Sequence, residues 1–357
     1  EFGFTQAELN EQLANVRTSL VNSAEGAATR SNTGLADALW SSWRGDSVFT
    51  TPADSLERFE SYADEITIDD VNQAFREHWT SGEPLVFVTG TEPLERGPEE
   101  IAELWTASQS VDVEAMEEAD DAGWAYEDFG PAGEVASRNE VEDLEFTQVV
   151  FENGVRLNVK TTEFRARRVS VDIEFGRGDQ EPRPEAVIGT VASSVFTAGG
   201  LEAHSADDLS RVLAGRSVSA NFSVNGDNFS FGSTTTPTDL DTQLQLYAAF
   251  MSAPGWRPEG LAQYEASIEE FRRISYSSPA GVLSAEGSRL IRSGDPRFGF
   301  PTREELDAID LDDVRTFLSD ALQNAPIEIT IVGDVSVDDA IAAVSRTFGA
   351  LPPRAAE

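Results

Sequence analysis

One short pattern occurs twice in this chain and limits its architecture more than any other feature. Glu65-Ile-Thr-Ile-Asp-Asp-Val71 and Ala308-Ile-Asp-Leu-Asp-Asp-Val314 each carry a capping residue, an acidic first turn and the apolar spacing of a helix start. Each predicted helix leads to a proline-started apolar run, Pro84 to Gly90 in one copy and Pro326 to Gly333 in the other. A duplicated helix-to-strand unit implies two related α/β domains, the first represented by its back part. The second copy is nearly whole.

Periodicity fills in the surroundings. Thr5 and Glu8 form a capping box ahead of a helix over residues 4–29, with Leu9, Leu13, Val16 and Leu20 on one face. Helices are expected at Asn32–Trp43 and from Ile68, capped by Thr67, to Thr80. Residues 95–144 are rich in acid, broken by Gly130-Pro-Ala-Gly133, and read as a linker holding one helix, Pro98–Ser108. The acidic tract Glu114–Asp121 lacks the bend glycine and oxygen spacing of a calcium loop, so it reads as a solvated charge run.

From residue 145 the chain turns strand-rich. Gln148–Phe151 and Val155–Val159 flank Asn153-Gly154 as a hairpin, and Val169–Phe175 alternates as a third strand. A helix is expected over Glu185–Thr197 and another from Ser205 to Ala214. A second hairpin, Arg216–Val224 with Asn228–Thr234, follows. Thr236-Pro237 then opens a helix to Ser252. The tail reads helix (Leu311–Leu322), strand (Ile327–Val332) and helix (Val337–Phe348).

Composition excludes several functions. The 357 residues hold 64 Asp+Glu against 26 Lys+Arg, a net charge of −38, which rules against nucleic acid and anionic membrane surfaces. Lys160 is the single lysine, a balance suited to high salt or to a GC-rich gene. The absence of cysteine removes disulfides, thiolate zinc sites and cysteine nucleophiles. No run reaches the roughly 18 apolar residues of a membrane span. Glu1 to Asn10 shows no signal-peptide pattern, and the chain reads as a segment of a longer one.

Five segments give the sequence a resemblance to the insulinase/pitrilysin family of zinc metallopeptidases. They are Gly3-Phe-Thr-Gln-Ala-Glu-Leu9, Ile66–Val71 through Val88-Thr-Gly90, Phe151-Glu-Asn-Gly-Val-Arg-Leu157, Phe300-Pro-Thr-Arg-Glu-Glu-Leu306 and Ile331-Val-Gly-Asp334. The resemblance implies an α+β fold, with a mainly antiparallel sheet covered by helices on one face. It further implies four such domains closing as a clamshell around a peptide. Residues 1–94 would be the incomplete C-terminal part of a second domain, with a sheet edge exposed or covered by another chain. Residues 95–144 would be the linker and 145–357 an inactive third domain.

The family's zinc motif is His-x-x-Glu-His on a helix, two imidazoles gripping the metal and the glutamate activating water. The two histidines here, His78 and His204, begin no such motif. In the third domain Gly189, Ala192 and Ser193 stand where ligand, base and ligand would be expected. The resemblance therefore assigns this segment no catalytic, cofactor-binding or metal residue and places zinc in a missing N-terminal domain. The family's inactive half also offers an arginine and a tyrosine to substrate, and those positions hold Leu209 and Arg216. Arg211 and Arg216 remain able to bind a peptide carbonyl or carboxylate; ordinary solvated arginines are the other reading.

Other constellations have plainer explanations. His78 reads as structural, and His204 with Ser205 and Asp207 as a helix start rather than a serine triad. Gly176-Arg-Gly178 lacks a dinucleotide fingerprint, and the Asn221 and Asn228 glycosylation patterns are too short to weigh.

The resulting expectation is a zinc-ligand-free segment of an insulinase-like metalloendopeptidase that shapes the chamber and helps bind peptide. The alternative is an inactive homologue that assembles with an active partner. Expected partners are peptide or unfolded polypeptide, the missing domains of the same chain, and a second copy through an exposed sheet edge. The resemblance implies a periplasmic or secreted location.

Overall fold

The computed structural model describes residues 2–79, 85–88, 96–114, 123–180 and 187–355. The first part of the chain is helical: α1 (Gln6–Glu25), α2 (Asn32–Arg44), α3 (Pro52–Glu60) and α4 (Ile68–Trp79). Leu9, Phe59 and Ala63 form its small buried centre. Arg17 lies over the Phe59 ring, 5.7 Å from its centroid, and bonds Glu60 at 2.9 Å, which locks α1 onto α3.

The rest of the fold is built on one seven-stranded sheet. After α5 (Pro98–Ser108) come β1 (Val135–Val141), β2 (Phe146–Phe151), β3 (Arg156–Thr161) and β4 (Val169–Phe175). Then follow α6 (Ile188–Ala198), α7 (Ala206–Val212), β5 (Phe222–Val224), β6 (Phe229–Thr235), α8 (Leu240–Ser252), α9 (Pro258–Ser275), α10 (Pro279–Ile291), α11 (Arg303–Asp307), α12 (Leu311–Asn324), β7 (Ile327–Gly333) and α13 (Val337–Arg346). The strand order is β1-β2-β3-β7-β4-β6-β5. Every neighbouring pair is antiparallel except β3 with β7.

Side-chain alternation dictates the layering. Along β4, Val169, Val171, Ile173 and Phe175 are buried, whereas Asp172 and Glu174 are exposed. β7 repeats the pattern with Ile327, Ile329 and Ile331 inward. One face is therefore apolar and the other polar, as a sheet covered on one side requires. Phe196 of α6, Leu244 and Tyr247 of α8, Leu318 of α12 and Val344 of α13 belong to the same core cluster. Each such side chain contributes about 1.5–3 kcal/mol through removal from water.

β7, formed late in the chain, sits between β3 and β4, which are neighbours in sequence. The connection from β3 to β4 must therefore pass over the end of β7. It does so through residues 162–168, fastened by Asp334 N–H to Arg168 O at 3.0 Å and by Arg167 N–H to Asp334 Oδ2 at 2.8 Å. Gly333 is required at this crossing. A Cβ there would stand 2.2 Å from Arg168 O, and its φ is +149°.

The duplicated unit extends further than the two helix starts. Thr67 and Asp70 form one capping box, and Asp310 and Asp313 the other. Ahead of each lies a second boxed helix, α3 with Thr51 and Asp54 and α11 with Thr302 and Glu305. In the later copy the unit ends in β7. In the earlier copy, residues 85–88 form no strand, and Leu85 and Phe87 stand exposed. No other strand among the described residues of this part offers them a ladder, and an unpaired strand has nothing to hold it. The remainder of that expected strand, Pro84, Thr89 and Gly90, lies outside the described residues, as does most of the acidic tract.

Three further expectations change in detail. The segment read as linker does carry α5 at Pro98–Ser108, but its last part forms edge strand β1, paired with β2 from Val135 to Val141. The hairpin arm expected from Arg216 shrinks to Phe222–Val224. Side chains capture the backbone before it: Asp239 accepts from Ser217 N–H at 3.0 Å, while Gln243 accepts from Ser219 N–H and donates to its carbonyl. The helix expected at Thr236-Pro237 begins at Leu240, after a turn in which Thr236 Oγ1 donates to Asp239.

Candidate functional site

Helix α6 carries the three positions that the resemblance assigns to the zinc motif, and packing occupies all of them. Gly189 is buried, and a Cβ there would meet Val224 Cγ1 at 3.1 Å and Asp179 Oδ2 at 3.2 Å. An imidazole there would require both side chains to shift. Ala192 is fully buried in the core. Ser193 Oγ donates to Gly189 O at 3.0 Å and accepts from Val224 N–H at 2.9 Å, tying α6 to edge strand β5. These three residues offer neither metal ligands nor a base, so the zinc implied by the resemblance does not suit them. Among the described residues no group of three or more His, Asp or Glu side chains is placed to hold a metal.

The two arginines singled out from sequence part company. Arg211, on α7, is held at 2.6 Å by Asp208 one turn earlier. Asp208 also accepts from the Ser205 hydroxyl and backbone N–H, and these bonds with the arginine pull its carboxyl down to about 2. Arg216 instead lines an open cavity of about 510 Å³ between α1, α7 and α8. Its guanidinium donates to Thr242 Oγ1 at 2.7 Å. Leu209 shares that cavity and Arg211 does not line it. The wall thus presents one cationic donor beside an apolar side chain.

Helix α1 also lines the cavity, contributing Glu11 and Asn15. It is stitched to the sheet-bearing part by polar contacts: Asn15 Oδ1 accepts from Gly215 N–H at 2.8 Å, Thr18 Oγ1 donates to Gly215 O, and Asn22 donates to Ser217 Oγ at 2.8 Å. Helix α1 therefore docks on residues 215–217, at the start of the stretch that failed to become strand.

His204 differs from its expected role. Ser205 and Asp208 make the capping box of α7 without it. Its ring, 2% exposed, stacks on Trp124 at 5.7 Å between centroids and meets Tyr126 edge-on. His204 Nε2 accepts from Ala125 N–H at 3.2 Å, and Tyr126 Oη accepts from Ala203 N–H at 2.9 Å. Part of the segment read as linker is thus pinned to the sheet-bearing part. His78 lies on exposed α4.

Comparison with solved structures places this geometry. A mutant of the ferredoxin protease FusC, in complex with Arabidopsis ferredoxin, matches at TM-score 0.56 and 17% identity, over 100% of this chain and 40% of that one. The periplasmic protease PqqL from Escherichia coli matches at 0.55 and 17%, over 99% of this chain and 39% of its own. The fold is that of the insulinase/pitrilysin peptidases. Pitrilysin itself aligns at 0.49 and 12% identity over 64% of this chain and 25% of that one. No family model matches the chain, and neither does any curated protein. The chain spans about two fifths of the length of the first two proteases. No helix among the described residues is long and apolar enough to cross a membrane.

Proposed function

We propose that the chain is a zinc-free segment of an insulinase-like metalloendopeptidase, forming part of the chamber wall and helping to hold an extended peptide. One observation carries this reading: the whole chain aligns with two proteases, while the α6 positions of the zinc motif are filled by Gly189, Ala192 and Ser193. Cleavage would belong to a domain outside these residues, where a bound zinc would supply an activated water. Arg216 would offer its guanidinium to a peptide carbonyl or carboxylate at the cavity wall, with Arg211 a subsidiary contact on the adjoining helix. The missing domains would cover the exposed residues 85–88, and a second copy could add to the exposed edge strand β1. PqqL is described as periplasmic, and the same compartment is proposed here.

The test is translation and expression of the full reading frame. An upstream His-x-x-Glu-His, stoichiometric zinc and peptide cleavage abolished by Glu→Gln in that motif would support the reading. An uninterrupted frame without the motif, accompanied by peptide binding but no cleavage, would replace it with an inactive binding or assembly subunit.

A further inference from the structure

A second cavity, of about 410 Å³, opens where the end of α1 meets the β3–β4 crossing loop and the end of β6. Among the described residues its lining contains Arg30, Arg165, Arg167 and Arg168 and no Asp or Glu. That composition runs against the chain, in which acidic residues outnumber basic ones 64 to 26. Elsewhere arginines are commonly neutralised, as in Arg17–Glu60, Arg138–Asp338 and Arg346–Asp241. Here, among the described residues, Arg30, Arg165 and Arg168 form no ion pair, and Arg30 Nε donates only to Ala27 O at 3.2 Å. Arg167 is the exception, its Nε lying 2.7 Å from Glu25 Oε2 and its Nη1 donating to Thr238 Oγ1 at 3.1 Å.

A neutral donor is also left over. Thr235 is 2% exposed, and its buried hydroxyl has no hydrogen-bond partner. An orphaned buried hydroxyl is costly unless something accepts from it. The loop bearing three of the arginines is fixed by the crossing over β7, with Arg167 at φ +63° and Ala166 N–H donating to Thr29 Oγ1 at 3.0 Å. The backbone that carries them is therefore preorganised. Among the described residues no aromatic side chain lines the cavity, so none of them stacks a nucleobase.

The geometry points to a carboxylate-binding site in this cavity, taking the C-terminal carboxylate or an acidic side chain of a polypeptide. The inference rests on the proposed peptide-holding function and gives it a recognised group. Planar guanidinium forks match a carboxylate, and the Thr235 hydroxyl supplies the further donor.

The experiment uses the full chain and a short unstructured peptide without acidic side chains, labelled at its N-terminus. It compares the free acid, the C-terminal amide, and the amide carrying one central Asp. Fluorescence anisotropy should show the free acid or the Asp peptide binding about tenfold or more tightly than the plain amide. The double variant Arg165→Gln/Arg168→Gln should remove that gap and leave the amide unchanged, because both side chains are exposed and unpaired. Thr235→Val, which removes an unpartnered hydroxyl, should also reduce the gap without lowering Tm.

A gap that survives the arginine variant overturns the site. So does inorganic phosphate that binds competitively when free acid and amide bind alike, since the cavity is then a phosphate site. If the amide binds and no gap exists, this inference falls alone. If no peptide binds, the peptide-holding function falls with it.

Discussion

The backbone N–H of Val224 donates to Ser193 Oγ at 2.9 Å, so a helix position expected for a metal ligand secures the sheet's edge strand instead. Ser193→Ala should leave that donor without its partner and destabilise the chain by about 1–3 kcal/mol. Urea unfolding should show a lower midpoint, with earlier amide exchange at Val224.

Rebuilding the motif should fail for a steric reason. In Gly189→His/Ala192→Glu/Ser193→His, the first imidazole enters a site where even a Cβ approaches Val224 at 3.1 Å. The variant should show a reduced Tm and no stoichiometric zinc by metal analysis.

His204 anchors the Trp124–Tyr126 segment through stacking and one hydrogen bond. His204→Ala should cost about 2–3 kcal/mol and red-shift the Trp124 contribution to fluorescence. His204→Gln, able to accept from Ala125 but unable to stack, should recover only part of the loss.

The Asp208 carboxyl, held down to about 2 by Ser205 and Arg211, contributes stability that is complete above the ordinary carboxylate range. That contribution is lost as pH falls through the folded value of about 2. NMR should place the Asp208 titration well below that of a free aspartate. Ser205→Ala should shift it upward, because the largest favourable contact is removed.

Arg216→Gln should weaken binding of an amidated peptide several-fold if the wall cavity contributes carbonyl contacts. Arg211→Gln should change it less, because Asp208 already occupies that guanidinium. Equal losses would show the two arginines acting through general charge.

The sequence showed local features where local chemistry sufficed. Thr5 with Glu8 located the start of α1, and strict alternation located β4 at Val169–Phe175. Helix α3 was missed although Thr51-Pro-Ala-Asp54 carries both a capping box and a first-turn proline. Strand β1 was hidden because all but its last residue are exposed, leaving no apolar alternation to detect. The arm from Arg216 was read too long because nothing nearby announces that Asp239 and Gln243 will claim its backbone. The arginine cavity was illegible for the same reason at larger scale. Its donors come from residues 30, 165, 167, 168 and 235, and only the fold brings them together.

The central position of β7 also sets a schedule for folding. The hairpin β2–β3 and the pair β4–β6 can each form soon after synthesis, but neither can join the other until residues 327–333 emerge. Until then both inner edges, with Leu157, Val159, Val171 and Ile173, lack their permanent neighbour. Such late, long-range closure slows folding and exposes aggregation-prone edges to the surrounding solution. A dense negative charge on the nascent chain would keep those waiting edges of different molecules apart.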